Sequence, residues 1–195
     1  MEDIKALKKE IRRQTLQFRN TLSKKERAEK SVAISERLFS LANFMEAKAA
    51  LFYVANKSEV ATEDMIRGSL VYGKTVAVPR TNTKERIIVP FKVEDFDQDL
   101  IPGYKGILEP DPSRTKKFPV DQIDIAIIPG VAFDTKAGRI GQGGGFYDRL
   151  IPTLNITTRK VALGFECQIV QQIPMESHDK HVDIIITEDR TIYKI

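Results

Sequence analysis

The chain has one cysteine in 195 residues, no tryptophan and two histidines. A lone cysteine, Cys167, can neither close an internal disulfide nor build a cysteine-rich zinc site, so a reducing compartment, the cytoplasm, is the expected location. Apolar runs are short. Ile125 to Ile128 is typical and ends at Pro129, far from the roughly 20 residues that a membrane helix needs. The start, Met1-Glu2-Asp3, is acidic and leads into an amphipathic pattern without the apolar stretch of a secretion signal. No membrane partner is expected. Aromatics are 8% of the chain, little material for the stacking platforms of a nucleic-acid binder.

What is present is the composition of a globular protein, 42% hydrophobic and 30% charged. A chain of this length buries about 70% of its unfolded surface without disulfides or a structural metal. One domain over residues 1–195 is expected, with residues 1–41 as a helical pair packed on the core, and a monomer. The net charge of +4 is unevenly placed: residues 1–30 hold ten Lys or Arg against five Asp or Glu, net +5, which leaves the rest at −1. Such a segment suits an anionic partner, nucleic acid or phosphorylated small molecule, or is a solvated helix face.

Ile4, Leu7, Ile11, Phe18 and Leu22 recur at helical spacing and predict an amphipathic helix over about 3–20. Ser23 and Glu26 form a capping box for a second helix to about Leu41, with Ala28, Val32, Ser35, Leu38, Phe39 and Ala42 as its apolar face. The period then changes. Short apolar runs at 49–54, 75–78, 87–93, 123–128, 160–165 and 182–187 read as strands, with a helix capped by Thr62 and stopped at Gly73 between the first two. Pro90 places the third strand at an edge or bulge. Residues 101–119, with four prolines and two glycines, form a loop long enough to have a function of its own. Strands alternating with helices predict an α/β fold with a mainly parallel sheet.

Gly68 to Thr75 spells the phosphate-loop pattern G-x-x-x-x-G-K-T, but a phosphate loop follows a strand and opens a helix. Here a helix ends at Gly73 and a strand begins, so the match reads as a helix cap. The informative segment is Asp134 to Asp148, where four of the chain's 11 glycines fall within 141–145. It follows the strongest strand and precedes a helical pattern at Tyr147–Ile151. Glycines let backbone N–H groups ring a phosphate, and the helix that follows adds its positive end; the alternative is a structural turn. Arg139 can grip the same anion. Asp148 suits Mg²⁺, which favours one or two carboxylates beside phosphate oxygens. Lys8 and Arg12, one turn apart on one helix face, could reach a polyphosphate held on the loop. His178 and His181 lack the partners of a zinc site; Asp179 between them is the better candidate, as a second Mg²⁺ carboxylate. Glu59 follows the first strand, where open α/β sheets place ligand groups, or is solvent decoration. Cys167 reads as a packing residue.

Arg139-Ile-Gly-Gln-Gly-Gly-Gly-Phe-Tyr-Asp148, preceded by Ile127-Ile-Pro-Gly-Val-Ala-Phe-Asp134, resembles the signature of the 5-formyltetrahydrofolate cyclo-ligase family. Lys8-Lys-Glu-Ile-Arg12 is similar to that family's basic N-terminal motif, and the stretch from His178-Asp179 to Asp183 to its acidic C-terminal one. The resemblance implies a three-layer α/β sandwich related to the ribose-phosphate isomerase and CoA-transferase group. It implies ATP- and Mg²⁺-dependent closure of 5-formyltetrahydrofolate to 5,10-methenyltetrahydrofolate. By it, Lys8, Lys9, Glu10, Ile11 and Arg12, with Arg139, Ile140, Gly141, Gln142, Gly143, Gly144, Gly145, Phe146 and Tyr147, would hold ATP. Tyr53, Glu59 and residues 142–146 would meet the folate, with Glu59 orienting the pterin, and Asp148 and Asp179 would hold Mg²⁺. Some members carry lysine where this chain has Gly144, a charge that Arg139 or Lys8 would then supply. The alternatives are a phosphosugar- or CoA-handling enzyme of the same fold group, and a basic nucleic-acid binder.

Overall fold

The computed structural model describes residues 3–194; Met1, Glu2 and Ile195 lie outside the described residues. Three helices come first, α1 (Ile4–Thr21), α2 (Lys24–Ser40) and α3 (Ala42–Glu46). The capping box at Ser23 and Glu26 is formed, each side chain accepting from the other's backbone N–H. Strand β1 (Ala49–Leu51) leads through a loop to α4 (Glu63–Val71) and then β2 (Thr75–Asn82) and β3 (Ile87–Val93). The remaining strands of the main sheet are β4 (Lys116–Lys117), β5 (Ile125–Ile128), β6 (Arg159–Leu163), β7 (Ile184–Ile186) and β8 (Thr191–Tyr193).

Their order is β8-β7-β6-β5-β1-β2-β3-β4. The five strands from β7 to β2 are parallel; β8 pairs antiparallel with β7 at one edge, and at the other β3 pairs antiparallel with β2 and β4 antiparallel with β3. Side chains alternate between faces along each parallel strand. Ala50, Val76, Val78, Ile125, Ile127, Val161, Leu163, Ile184 and Ile186 face one apolar cluster, closed by Ile34 and Leu38 of α2, Phe44 of α3 and Met65 and Ile66 of α4. Leu51, Ala77, Ala126, Ile128, Ala162 and Ile185 face the other, closed by Ile123, Phe133, Leu150 and Leu154. Two buried faces explain why these strands read as unbroken apolar runs. The result is the expected α/β fold with a mainly parallel sheet.

Several expectations are corrected. Strand β1 stops at Leu51, because Tyr53 and Ala55 bond instead to the Thr62 hydroxyl, which donates to Tyr53 O and accepts from Ala55 N. Thr62 thus precedes α4 without capping it by its side chain. Strand β2 runs on to Asn82 in a hairpin with β3, with Pro79 opposite Pro90. The loop 101–119 contains a small hairpin of its own, Leu100–Pro102 with Leu108–Pro110, and contributes β4. The glycine segment does not follow β5 directly. A second small sheet intervenes, in which Ala132–Asp134 pairs with Arg139–Ile140 and with Ile169–Val170. On α2 the buried stripe is Ser31, Ile34 and Leu38, and Val32 is exposed.

The largest departure is α1. Ile4 and Phe18 of the predicted apolar face are exposed, Phe18 by 61%, and its buried residues are Lys8, Thr15 and Arg19. With Arg12 these recur at spacings of four, three and four, one continuous face of a helix. A helix that turns lysine and arginine inward is packed against something polar.

Candidate active site

In the sheet order, β1 and β5 are neighbours from which the chain winds in opposite directions, and open α/β sheets bind ligands outside the carboxyl ends of such strands. The residues after β1, Tyr53 to Glu59, and after β5, Pro129 and Gly130, line a cavity of about 240 Å³ there. The far wall is the 104–109 hairpin, and the floor includes Phe146 and Tyr147. A second cavity, of about 380 Å³, lies against α1 and is lined by Lys5, Lys8, Arg12, Glu176, His178 and Asp179. The two share Arg139, Gly141, Gly145 and Asp148. The glycine loop is the partition between a largely apolar chamber and a charged one.

The loop is anchored on both sides. Before it, the Asp134 carboxylate accepts from the backbone N–H groups of Lys136, Gly138 and Ile173 at 2.8–3.0 Å, which pins the turn where Ala137 takes φ 64°. Within it, Gly143 (φ 96°) and Gly145 (φ 66°) are left-handed, a conformation that costs other residues roughly 1–2 kcal/mol. Gly145 then caps a helix of five residues, Phe146–Leu150. That is little more than one turn, so the loop's free N–H groups, rather than a long helix dipole, supply most of the positive end expected there.

Arg139 is fully enclosed. Its Nη2 donates to Asp148 Oδ1 at 2.7 Å and its Nη1 to Pro129 O at 3.2 Å, while Nε has no partner among the described residues. Arg12 Nε donates to Gly141 O at 2.8 Å, tying α1 to the loop. Lys8 Nζ lies between Glu176 Oε2, at 2.7 Å, and Asp179 Oδ2. Burial opposes the lysine charge, but the two carboxylates outweigh it and hold its pKa above the usual value. For Asp179 burial also opposes ionisation, and Lys8 and the Glu176 amide outweigh it, so its pKa is lowered.

These shifts give an expected pH response. A carboxylate with a depressed folded pKa stabilises the fold above its unfolded value and loses that contribution as pH falls through the folded one. Lys8, raised, contributes below its unfolded value and fails only in alkali. In metal-free protein at pH 7, Asp179→Asn is therefore expected to cost on the order of 2 kcal/mol, the value of a charged hydrogen bond. Thermal melts from pH 7 down to 2.5 should show the gap closing below the usual carboxylate value of 3.8. A gap that persists in acid would mean that the carboxylate charge plays no part.

The second cavity holds four cations, Lys5, Lys8, Arg12 and Arg139, against three carboxylates, Asp148, Glu176 and Asp179. Asp148 and Asp179 each direct their hydrogen bonds to a single oxygen, leaving Asp148 Oδ2 and Asp179 Oδ1 available. This oxygen donor set fits a hard divalent cation shared with phosphate oxygens. Glu176, His178 and Asp179 have ligand atoms within 4.8 Å of one another, so His178, and not His181, is the histidine beside the carboxylates.

Across the partition, Glu59 Oε2 accepts from Asn56 N at 2.9 Å and Oε1 from Gln142 Nε2 at 3.4 Å. Burial first, and the Glu59 charge second, push the phenols of Tyr53 and Tyr147 above their usual range. Glu59 is thus fixed by its own loop and by the glycine loop, itself half-buried, and lines the apolar chamber with the buried Tyr53 and the half-buried Tyr147.

A family model for the 5-formyltetrahydrofolate cyclo-ligase family matches residues 4–188. The chain belongs to this family. A 5-formyltetrahydrofolate cyclo-ligase of Saccharomyces cerevisiae is 31% identical over 96% of this chain and 98% of its own. A probable cyclo-ligase of Caenorhabditis elegans is 29% identical over 98% of each. Among solved structures, the 5,10-methenyltetrahydrofolate synthetase of Aquifex aeolicus superposes with a TM-score of 0.84 at 29% identity, covering 96% of this chain and 93% of that one.

For a cyclo-ligase sequence, the motif run Lys8–Arg12 divides in two. Lys8, Ile11 and Arg12 turn inward, Ile11 onto Ala132, Ile140 and Ile173, whereas Lys9 and Glu10 are exposed and Glu10 pairs with Arg13 on the outer face. Ile140 is buried in the same small cluster, so its side chain is structural. At Gly144 a Cβ would come within 2.7 Å of the Phe146 ring; a lysine there needs that ring to move. Motif reading missed Glu176, the second partner of Lys8, and Arg19. Arg19 is 3% exposed, with Nε and Nη1 unpartnered among the described residues. Burial pulls its pKa down, and Glu59 and Tyr53 oppose that most. The seven-residue step from Arg12 to Arg19 was the available signal.

Proposed function

We propose that this cyclo-ligase closes 5-formyltetrahydrofolate to 5,10-methenyltetrahydrofolate at the expense of ATP, with the folate in the apolar chamber and the triphosphate in the charged one. The observation that carries this is the partition: one glycine loop forms the wall of both chambers, so two ligands would meet across it. The formyl oxygen is a poor leaving group. It attacks the terminal phosphorus and ADP departs; the neighbouring anilino nitrogen then attacks the activated carbon, losing its proton, and phosphate leaves with the former formyl oxygen. Phosphoryl transfer of this kind needs positioning and charge neutralisation more than a protein nucleophile.

Lys8, Arg12 and the N–H groups of 141–145 would hold the phosphates, with Arg139 fixing the loop from beneath. Lys9 and Glu10 would contribute through backbone alone, given where their side chains point. Tyr53, Glu59, Gln142 and Phe146 would hold the folate ring, Glu59 by accepting from its N–H groups. Asp148 and Asp179 would hold Mg²⁺, which when bound neutralises phosphate charge that a cavity with only one net positive charge cannot. A cytoplasmic setting agrees with the lone cysteine; no helix of the described residues is long and apolar enough to cross a membrane.

The test mixes purified protein with 5-formyltetrahydrofolate and Mg-ATP and follows the methenyl chromophore, omitting ATP or Mg²⁺ in turn. Growth that requires both is expected. Folded protein that binds ATP but forms no product would instead favour a phosphosugar or CoA substrate.

A further inference from the structure

The outer lip of the apolar chamber carries positive charge that the protein itself leaves unpaired. Lys105 lines that chamber from the turn between Leu100–Pro102 and Leu108–Pro110, in a left-handed conformation with φ 56° and ψ 24°. Lysine reaches this region only where its surroundings hold it, and such outliers cluster at functional positions. Its ammonium lies 5.2 Å from the Tyr104 ring centroid. Tyr104 meets Phe146 of the glycine loop edge to face at 6.2 Å, and the Arg149 guanidinium lies 5.7 Å over Phe146. Two aromatics in edge-to-face contact thus join the two walls of the mouth, with a cation at each end. Arg149 also donates to the carbonyls of Arg86 and Gly144 at 2.7 and 2.6 Å. Among the described residues, neither Lys105 nor Arg149 forms an ion pair.

The acids of this chamber lie elsewhere. Glu59 is half-buried after β1, Glu109 is buried behind Gly103 with its Oε1 accepting from Thr81 N, and Asp148 is paired with the enclosed Arg139. The chamber therefore has a polarity, carboxylate inside and cations at the lip. We propose that Lys105, with Arg149 across the mouth, binds the carboxylates at the outer end of the folate substrate and makes Lys105 a specificity residue for folates over ligands that end at the aminobenzoyl group. The inference rests on the proposed folate site. It fits the substrate end to end: a ring rich in N–H donors beside Glu59, and an anionic glutamate beside the cations. Arg149 has a second role in holding the glycine loop through Gly144, so Lys105 is the residue that isolates the contact.

The experiment measures KM and kcat for 5-formyltetrahydrofolate and for 5-formyltetrahydropteroate amide, which has the same rings and an uncharged amide where the glutamate is attached, in the wild type, Lys105→Met and Lys105→Arg. Methionine keeps the stem and removes the charge. One charged contact corresponds to about a tenfold difference in KM, and that ratio between the two substrates is expected for the wild type. In Lys105→Met it should fall to about twofold, and in Lys105→Arg it should be largely restored, the effect lying in KM rather than kcat. The folate KM should also rise with ionic strength in the wild type and less so in Lys105→Met. A ratio equal in wild type and Lys105→Met, or a loss shared by both substrates, would overturn the assignment while leaving the folate site standing. Product from neither substrate with folded wild-type protein would overturn the folate site and the assignment with it.

Discussion

Asp148→Ala is expected to lower kcat/KM for cyclisation by at least about a hundredfold and to destabilise the fold by about 3 kcal/mol. The two effects have different origins. The catalytic one would follow from the proposed Mg²⁺ site, to which the carboxylate oxygen without a hydrogen bond would contribute. The structural one follows from Arg139, whose side chain is 2% exposed and has Asp148 as its one acidic partner among the described residues, at 2.7 Å. Removing one member of a buried pair leaves the other charge uncompensated, which costs more than removing both. For a chain of this length the loss corresponds to a fall of roughly 6–12 °C in Tm. Asp148→Asn keeps the acceptor and should recover part of the stability but little of the activity. The double variant Arg139→Met with Asp148→Leu should recover stability and no activity at all. If Asp148→Ala lowered Tm but left kcat/KM and its Mg²⁺ dependence intact, Asp148 would be an anchor for Arg139 and nothing more.

Gly130→Ala is expected to be the most damaging single methyl group in the molecule, costing about 3 kcal/mol. Gly130 and Gly164 both pack against the ring of Phe133, which is completely buried; a Cβ at Gly130 would lie 2.6 Å from Phe133 Cε1 and 3.3 Å from Arg139 Cγ. The clash is with a rigid ring, not with the end of a flexible side chain. The ring has nowhere to retreat, since Gly164 brings backbone against its other edge. Thermal melts should show a drop of about 10 °C, and Gly130→Ala combined with Phe133→Leu should regain part of it. A loss under about 1 kcal/mol would show that the loop after β5 yields more readily than its contacts suggest. Because Pro129 and Gly130 border the apolar chamber, KM for the folate substrate should rise in the same variant.

The sheet was legible because its strands obey one simple rule: Ile125–Ile128 and Ile184–Ile186 are apolar at every position, as strands covered on both faces must be. The glycine loop was legible because left-handed backbone at Gly143 and Gly145 demands glycine. Motif reading found Lys8, Arg12, Arg139, Asp148 and Asp179, and the fold brings all five to one cavity. The failures have a common cause. Helical periodicity was scored on apolar residues, so the true inner face of α1, marked by Lys8, Arg12, Thr15 and Arg19, was invisible to it. Hairpin strands such as Ala132–Asp134 and Leu108–Pro110 are three residues long, too short to show a period. Glu176 reaches Lys8 across 168 residues of chain, a pairing that local pattern cannot reveal.

That inward polar face of α1 also determines how firmly the helix is held. Its apolar anchors are few, Ile11 on the small cluster and, just past the end of the helix, Leu22 on the main one; Lys8 adds its two ion pairs and Arg12 its bond to a carbonyl. A helix with so few buried apolar contacts is expected to open locally at a lower free energy than the sheet beside it. An anion seated against Lys8 and Arg12 adds its binding free energy to the closing of α1 before it adds to anything else. One wall of the charged chamber is thus made of a segment whose own docking would be strengthened by an anion it enclosed.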